Sequence, residues 1–284
     1  MSNITRTIYA NALQSAKELG IPYVVEDNTT LNEKFGIQSG VPIPEDTAPL
    51  MKYVSIGRNG HRNVTGADGA ALTSIRRHLP NDAACYQHIP FVLREINDDI
   101  TAVEREKYGL RRYETHHNVD YIAYYLRRLD HDGLSTELNR VTITDGNVNT
   151  VPYIPSSSDL SPVPVEISPT EITELNGEYL TASTPVTINF SQYEVNEIIN
   201  ACEIIYGDRL YAVISEVALC TGVDLVTNAQ NGDNPPFNYT EAVGVQVNTH
   251  ICTHHPVHEL NNGLILSYNL GGSEALTQPY QGSQ

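Results

Sequence analysis

No apolar run in the 284 residues approaches the roughly 20 that a membrane-spanning helix needs. The opening stretch MSNITRTIYANALQSAKELG has no apolar centre, so no secretory signal is read there. The expectation is a chain made in the cytoplasm with no membrane partner. Cysteine is also scarce. Cys85, Cys202, Cys220 and Cys252 lie far apart with no C-x-x-C pair, which excludes finger-type zinc spacing and favours buried free thiols over a disulfide framework.

Basic side chains are nearly missing from the second half. Residues 1–150 carry 16 Lys and Arg against 19 Asp and Glu, whereas residues 151–284 carry Arg209 alone against 15 acids. The net charge of −17 therefore divides as −3 and −14. Phosphate contacts depend on Lys and Arg, so direct nucleic-acid binding by the second half is excluded. An acidic surface suits a basic partner, or is simply solvated.

Reaction signatures are lacking too. There is no G-x-S-x-G elbow, H-E-x-x-H pair, Walker loop or dinucleotide fingerprint. The glycine-rich segment GRNGHRNVTGADG (57–69) lacks the G-K-[ST] ending that a phosphate loop requires. His116 and His117 beside Glu114 and Asp120 read as solvated loop residues, and Cys85 near His88 lacks any sequence sign of activation. Asp98 and Asp99 with Glu95 are explained as a helix cap more simply than as an ion site. No enzyme activity and no cofactor are expected.

What is abundant is tyrosine, asparagine and threonine, with 35 Gly plus Pro, a composition of strands and turns. The pattern predicts an α+β fold with a strand-rich, antiparallel, β-sandwich-like C-terminal half and a mixed, partly extended N-terminal half. Four segments are expected: an N-terminal helix and arm (1–50), a mixed Arg/Tyr-rich region (51–150), a Pro/Ser-rich connector (151–170) and an acidic strand-rich domain (171–284).

Residues 5–19 space Ile8, Ala12, Leu13 and Ala16 as one helix face, closed by Gly20. A short helix is expected near 31–35, and a strand over 52–57 that Asn59-Gly60 folds back toward Asn63 and Val64. A helix capped by Asn97–Asp99 is predicted for 100–110. Residues 119–129 favour a strand, as does 140–144 before the turn signal Asp145-Gly146-Asn147. After strands at 179–182 and 186–190, Ser191 caps a helix that runs through Tyr206 to Gly207. Residues 210–219 read as a buried strand or a second helix, and Gly232–Pro236 as a loop. Strands at 242–251 and 263–270 are expected to form one antiparallel ribbon joined by a histidine-rich segment. The tail beyond Gly271 has no core signal.

Two constellations stand out. His250, Cys252 and His254 alternate along a strand and project from one face, where they would hold zinc with His258 or water as the fourth ligand. Pro256 interrupts that set, and the bland reading is histidines engaged in hydrogen bonds. The second is the block 81–130, where basic residues interleave with tyrosines. Arg94, Arg105, Arg111, Arg112, Arg127 and Arg128 are expected to hold the acidic half of this chain or of a neighbouring copy, through stacking and bidentate bonds.

The stretches YVSIGRNGHRNV (53–64), IPFVLREINDDITAVEREKYGLRRY (89–113), YIAYYLRRLD (121–130), ISEVALCTGVDL (214–225) and EAVGVQVNTHICTHHPV (241–257) together resemble an uncharacterised group of tailed-bacteriophage virion structural proteins. The resemblance implies a multicopy homo-oligomer bound to other virion proteins, made in the host cytoplasm and built into the virion. Its implied place is the neck or head–tail connector, the baseplate or the capsid surface. A metal-binding enzyme centred on Cys252 and a receptor- or glycan-binding module are the alternatives.

Overall fold

The computed structural model describes residues 2–41, 43, 47–163, 174–230, 235–258 and 262–278. The chain divides into two compact units, one of residues 1–130 with 190–264 and one of residues 131–189 with 265–284. These limits differ from the four segments read from sequence. Residues 164–170 of the expected connector, 232–234 of the expected loop and 279–284 of the tail lie outside the described residues.

In the first unit, strand β1 (Asn3–Arg6) leads into helix α1 (Ile8–Leu19). The Thr7 side chain accepts from the Ala10 N–H, and Gly20 closes α1 in the left-handed region at φ 64°. The buried face is Ala10, Leu13 and Ala16, whereas Ile8 and Ala12, expected on it, are exposed. A 3-10 turn (Asp27–Thr29) and the one-turn helix α2 (Leu31–Lys34) interrupt the arm. Strand β2 (Leu50–Gly57) follows as predicted.

The Asn59-Gly60 turn does not fold β2 back on itself. Instead β3 (His61–Thr65) pairs with β4 (Ala71–Ile75) as a separate two-stranded ribbon. Next come β5 (His88–Ile89), β6 (Val92–Glu95) and helix α3 (Ala102–Arg105), whose cap is Thr101 with Glu104 in a capping box. The helix expected over 100–110 is thus a single turn. Residues from Tyr108 onward enter β7 (Tyr108–His116), because their ladder to β8 (Val119–Arg128) outweighs local helical spacing. His117 and Asn118, both at positive φ, make the two-residue hairpin turn between them.

The second unit holds β9 (Glu137–Thr144), β10 (Asn147–Pro152) and the one-turn helix α4 (Ser157–Leu160). Asp145 at φ 50° and Gly146 at φ 80° form the hairpin turn that the sequence announced. Strand β11 (Glu174–Phe190) runs unbroken through Pro185, where two strands were expected.

Phe190 returns the chain to the first unit. Helix α5 (Gln192–Tyr206) is capped by the Ser191–Glu194 box and ended by Gly207 at φ 80°, as read from sequence. After a 3-10 turn (Arg209–Tyr211), β12 (Val213–Ala229) and β13 (Phe237–Pro256) form a long antiparallel pair. The ribbon expected between residues 242–251 and 263–270 does not form. β13 pairs with β12 and β1, whereas β14 (Leu264–Gln278) joins the second unit's sheet and carries the chain past Gly271.

The result is α+β and antiparallel, with a strand-rich C-terminal half. The main sheet runs β1-β13-β12-β2-β8-β6, with β5 on β2 and β7 on β8. Its core gathers Leu31, Tyr53, Leu93, Leu110, Leu126 and Val245. The second unit's sheet runs β10-β9-β11-β14.

Candidate functional site

The six arginines of the basic block all find partners within the first unit. Arg94 grips Glu197 of α5 through both Nε, at 3.0 Å, and Nη2. Arg127 Nε donates to Glu194 Oε1 at 2.6 Å. Arg128 bonds Asp224 and donates to the Thr240 carbonyl at 3.0 Å, while the Tyr53 hydroxyl and Lys52 reach the same Asp224 at 2.6 and 3.1 Å. Burial pushes the Glu194 carboxyl up, but Arg127 and the Ser191 cap outweigh it and hold the group below the usual range.

Arg105 lies 3.6 Å from Asp99 and 3.8 Å above the Phe237 ring. The buried Arg111 stacks on Tyr113, and Arg112 sits 5.2 Å over Phe35. Arg94, Arg127 and Arg128 therefore pair with three acids from the second half of their own chain, Glu197, Glu194 and Asp224.

The zinc set is not brought together. The histidine-rich segment is strand, not loop: β13 continues through it to Pro256. His250 Nε2 donates to the Asp82 carbonyl at 3.1 Å, and its ring stacks on His78 at 3.8 Å. Burial lowers His250 to about 4, so it is neutral. His254 meets His61 edge-on at 4.7 Å, Cys252 is buried, and His258 lies exposed beyond the strand. Among the described residues, no group of three or more His, Cys, Asp or Glu side chains is placed to hold a metal.

A different cluster occupies the interior. Glu216, 1% exposed on β12, faces four N–H donors. Its Oε1 accepts from His78 Nε2 at 2.9 Å and the Tyr86 amide at 2.7 Å; its Oε2 accepts from the Asn59 and Gln87 amides at 3.0 and 3.3 Å. The other ring nitrogen of His78 meets Asp82 Oδ2 at 2.7 Å, and the ring stacks on Tyr86 at 4.0 Å. Burial alone would lower the His78 pKa, but bonds to Cys252, Glu216 and Asp82 outweigh it and raise it to about 10. The group is an imidazolium bridging two carboxylates.

This cluster explains the glycine-rich segment. A Cβ on Gly60 would lie 2.0 Å from the Ser215 carbonyl, and one on Gly57 would lie 2.7 Å from Glu216 Oε2. The backbone must approach closely to give Glu216 its amides. Arg58, which made the segment look like a phosphate loop, is stacked between Tyr206 and Tyr211 at 4.2 and 4.5 Å.

The thiol–histidine neighbours are inert as a nucleophile pair. The Cys85 amide donates to His88 Nε2 at 3.2 Å, while burial raises the thiol and lowers His88 to about 3. Glu114 holds His116 at 2.8 Å. Asp99 accepts from the Ile100 amide at 2.8 Å and the Tyr124 hydroxyl at 2.6 Å, a local bonding role.

One cleft of the first unit, about 830 Å³, is lined by Phe35, Gln38, Arg111, Arg112, Tyr239 and Glu241. Burial raises the Glu241 carboxyl to about 7, and Gln38 Nε2 donates to its Oε2. Aromatic faces and planar polar groups thus meet in one concavity.

The second unit is built differently. Among its described residues no helix exceeds one turn, and every residue of β10 is exposed. Ile143 and Val148, direct cross-strand partners, are 42% and 65% exposed. On the opposite face Leu138 and Val151 are also exposed, beside the Arg140–Glu178 pair at 2.5 Å. Both faces of this sheet leave large apolar side chains uncovered.

A family of unknown function, DUF7208, matches residues 1–283. The chain belongs to the DUF7208 family. No curated protein and no solved structure matches it. The DUF7208 match spans both compact units, and so covers the buried His78–Glu216 cluster and the uncovered sheet alike.

Sequence reasoning missed His78 and Glu216. The available signal was Glu216 itself, a lone acid inside the apolar run ISEVALC. Nothing near it names its partner, which lies 138 residues away.

Proposed function

We propose that the protein is a non-enzymatic structural subunit of a tailed-phage virion, present in many copies and held by protein–protein contacts at the neck, head–tail connector or baseplate. The observation that carries this reading is the second unit's sheet, whose apolar side chains Ile143, Val148, Leu138 and Val151 stand exposed on two faces. A sheet gains stability by burying a face against another layer, and here a neighbouring molecule would supply it. The resemblance to virion structural proteins supplies the particle. The absence of reaction motifs from the sequence accords with a subunit whose work is contact.

The test is the native mass of the full chain in solution, together with antibody labelling of purified particles. A closed cyclic oligomer and labelling at one end of the particle are expected. A chain that stays monomeric at high concentration and is missing from particles would sink the reading.

The cleft around Glu241 favours a second reading, binding of a neutral glycan. Mixed aromatic and planar polar linings orient small polar ligands. Glycan-array binding by the monomer, abolished by Arg112→Ala, is its signature.

A further inference from the structure

We infer that copies of this chain join by adding strand β10 of one copy to strand β14 of the next, so that the second unit's sheet continues from subunit to subunit. This rests on the assembly reading above and adds an edge contact to the face contacts proposed there.

The hydrogen-bond phase of β10 shows which of its backbone groups point away from β9. The Tyr153 amide donates to the Leu138 carbonyl at 2.9 Å, and the register continues Pro152 opposite Asn139 and Val151 opposite Arg140. In an antiparallel ladder alternate residues bond to the same neighbour. Residues 147, 149 and 151 therefore face β9, while Val148 and Thr150 turn their N–H and C=O groups outward. Pro152, which has no N–H, falls on the outward set, where an edge tolerates it.

Chemistry at this edge is unusual for an acidic chain. No charged side chain occurs between Asp145 and Asp159, so none lies on β10. Edge strands of monomers are ordinarily blunted by charge, above all lysine, by proline or by bulges, and of these β10 has only Pro152, at its last position. The charge of −17 makes copies repel, and an uncharged edge is where they meet without like charges opposed.

The second edge complements the first. Thr187 lies by Ser267 at 3.3 Å, and Gly271 approaches Ala182, so β14 runs antiparallel to β11. β9 is antiparallel to both β10 and β11. An even-numbered antiparallel sheet has edges of opposite direction, so β10 of one copy meets β14 of another copy antiparallel when both are placed by the same rotation. That is the head-to-tail contact of a closed ring, as the polar axis of a tail requires. β14 carries one charged residue, Glu274, which leaves the contact free of paired like charges.

The experiment compares the native mass of the full-length wild type with those of Val148→Lys and Thr150→Pro over a concentration series. Val148 is 65% exposed, so its replacement leaves the fold intact, and circular dichroism verifies this for both variants. The wild type is expected to form a ring larger than a dimer. Each variant is expected to need at least about tenfold more protein to assemble, or to remain monomeric. Rings that persist unchanged in both variants would overturn the β10 contact and leave the assembly reading standing. A wild-type dimer would overturn the head-to-tail mode. A wild-type monomer at high concentration would overturn the strand-addition contact, and its absence from purified particles as well would remove the assembly reading itself.

Discussion

Replacing Glu216 by Gln changes one buried atom and leaves shape almost untouched. In the native chain both carboxylate oxygens accept two N–H groups each, from His78 and Tyr86 on one side and Asn59 and Gln87 on the other. The new amide would aim its own N–H groups at one of those donor pairs, and it removes the charge that balances the imidazolium. Breaking a buried ion pair from one side costs about 3–5 kcal/mol. For a unit of this size that lowers Tm by roughly 6–20 °C. Urea unfolding followed by circular dichroism measures the free energy directly.

A pH series supplies a second signature. His78 is held at about 10, above its ordinary value near 6.5. Its contribution is fully present below about 6.5 and is lost as pH rises through about 10. The gap between wild type and Glu216→Gln should therefore be widest at mildly acid pH and close toward pH 10. A gap below about 1 kcal/mol, or one independent of pH, would refute the account of Glu216 as partner to a charged histidine.

Three further outcomes follow from the same contacts. Arg127→Leu leaves Glu194 buried without its main cation and should cost roughly 2–4 kcal/mol in denaturant unfolding, with Glu194→Gln in the same background recovering part of it. Ser191→Ala removes the cap of α5 and should cost about 1 kcal/mol, read as a fall in urea midpoint at unchanged slope. Glu241 has its folded pKa raised to about 7, so ionising it opposes folding; the penalty develops as pH rises above the unfolded carboxyl value and is complete above about 7. Glu241→Gln should accordingly exceed wild type in stability by roughly 1–3 kcal/mol at pH 8 and match it near pH 4, and equal stability at pH 8 would count against the buried carboxyl.

The parts of the fold legible in the sequence are those decided locally. α5 carried its cap, its periodic apolar face and its terminal glycine within one window, and Asp145-Gly146 named its own turn. Pairing was not legible, because partners are chosen across the sheet. Residues 100–110 had helical spacing, yet Tyr108 and Leu110 joined β8. The alternating residues of β14 looked like a partner for β13, but nothing in either strand records which sheet it enters. The arginines were recognisable as binders of acids, and Arg94, Arg127 and Arg128 are. The histidines of β13 suggested a ligand set because spacing along one strand says nothing of what packs above it. There His250 lies under His78, and His254 beside His61.

The wiring of the two units has a consequence for how the chain is made. Asn3 on β1 stands opposite Cys252 on β13, so β1 has no partner strand until most of the chain has been made, and β2, which β5 and β8 reach earlier, waits as long for β12 on its other side. The second unit waits longer still, since β11 borders β14, which is synthesised after every other described strand. Completion of both sheets is thus late and slow by contact order, with strand edges unpaired meanwhile. The excess of negative charge in the later-made half would keep nascent copies apart during that interval, and productive assembly would begin only when the last strand closes the sheet that the next copy extends.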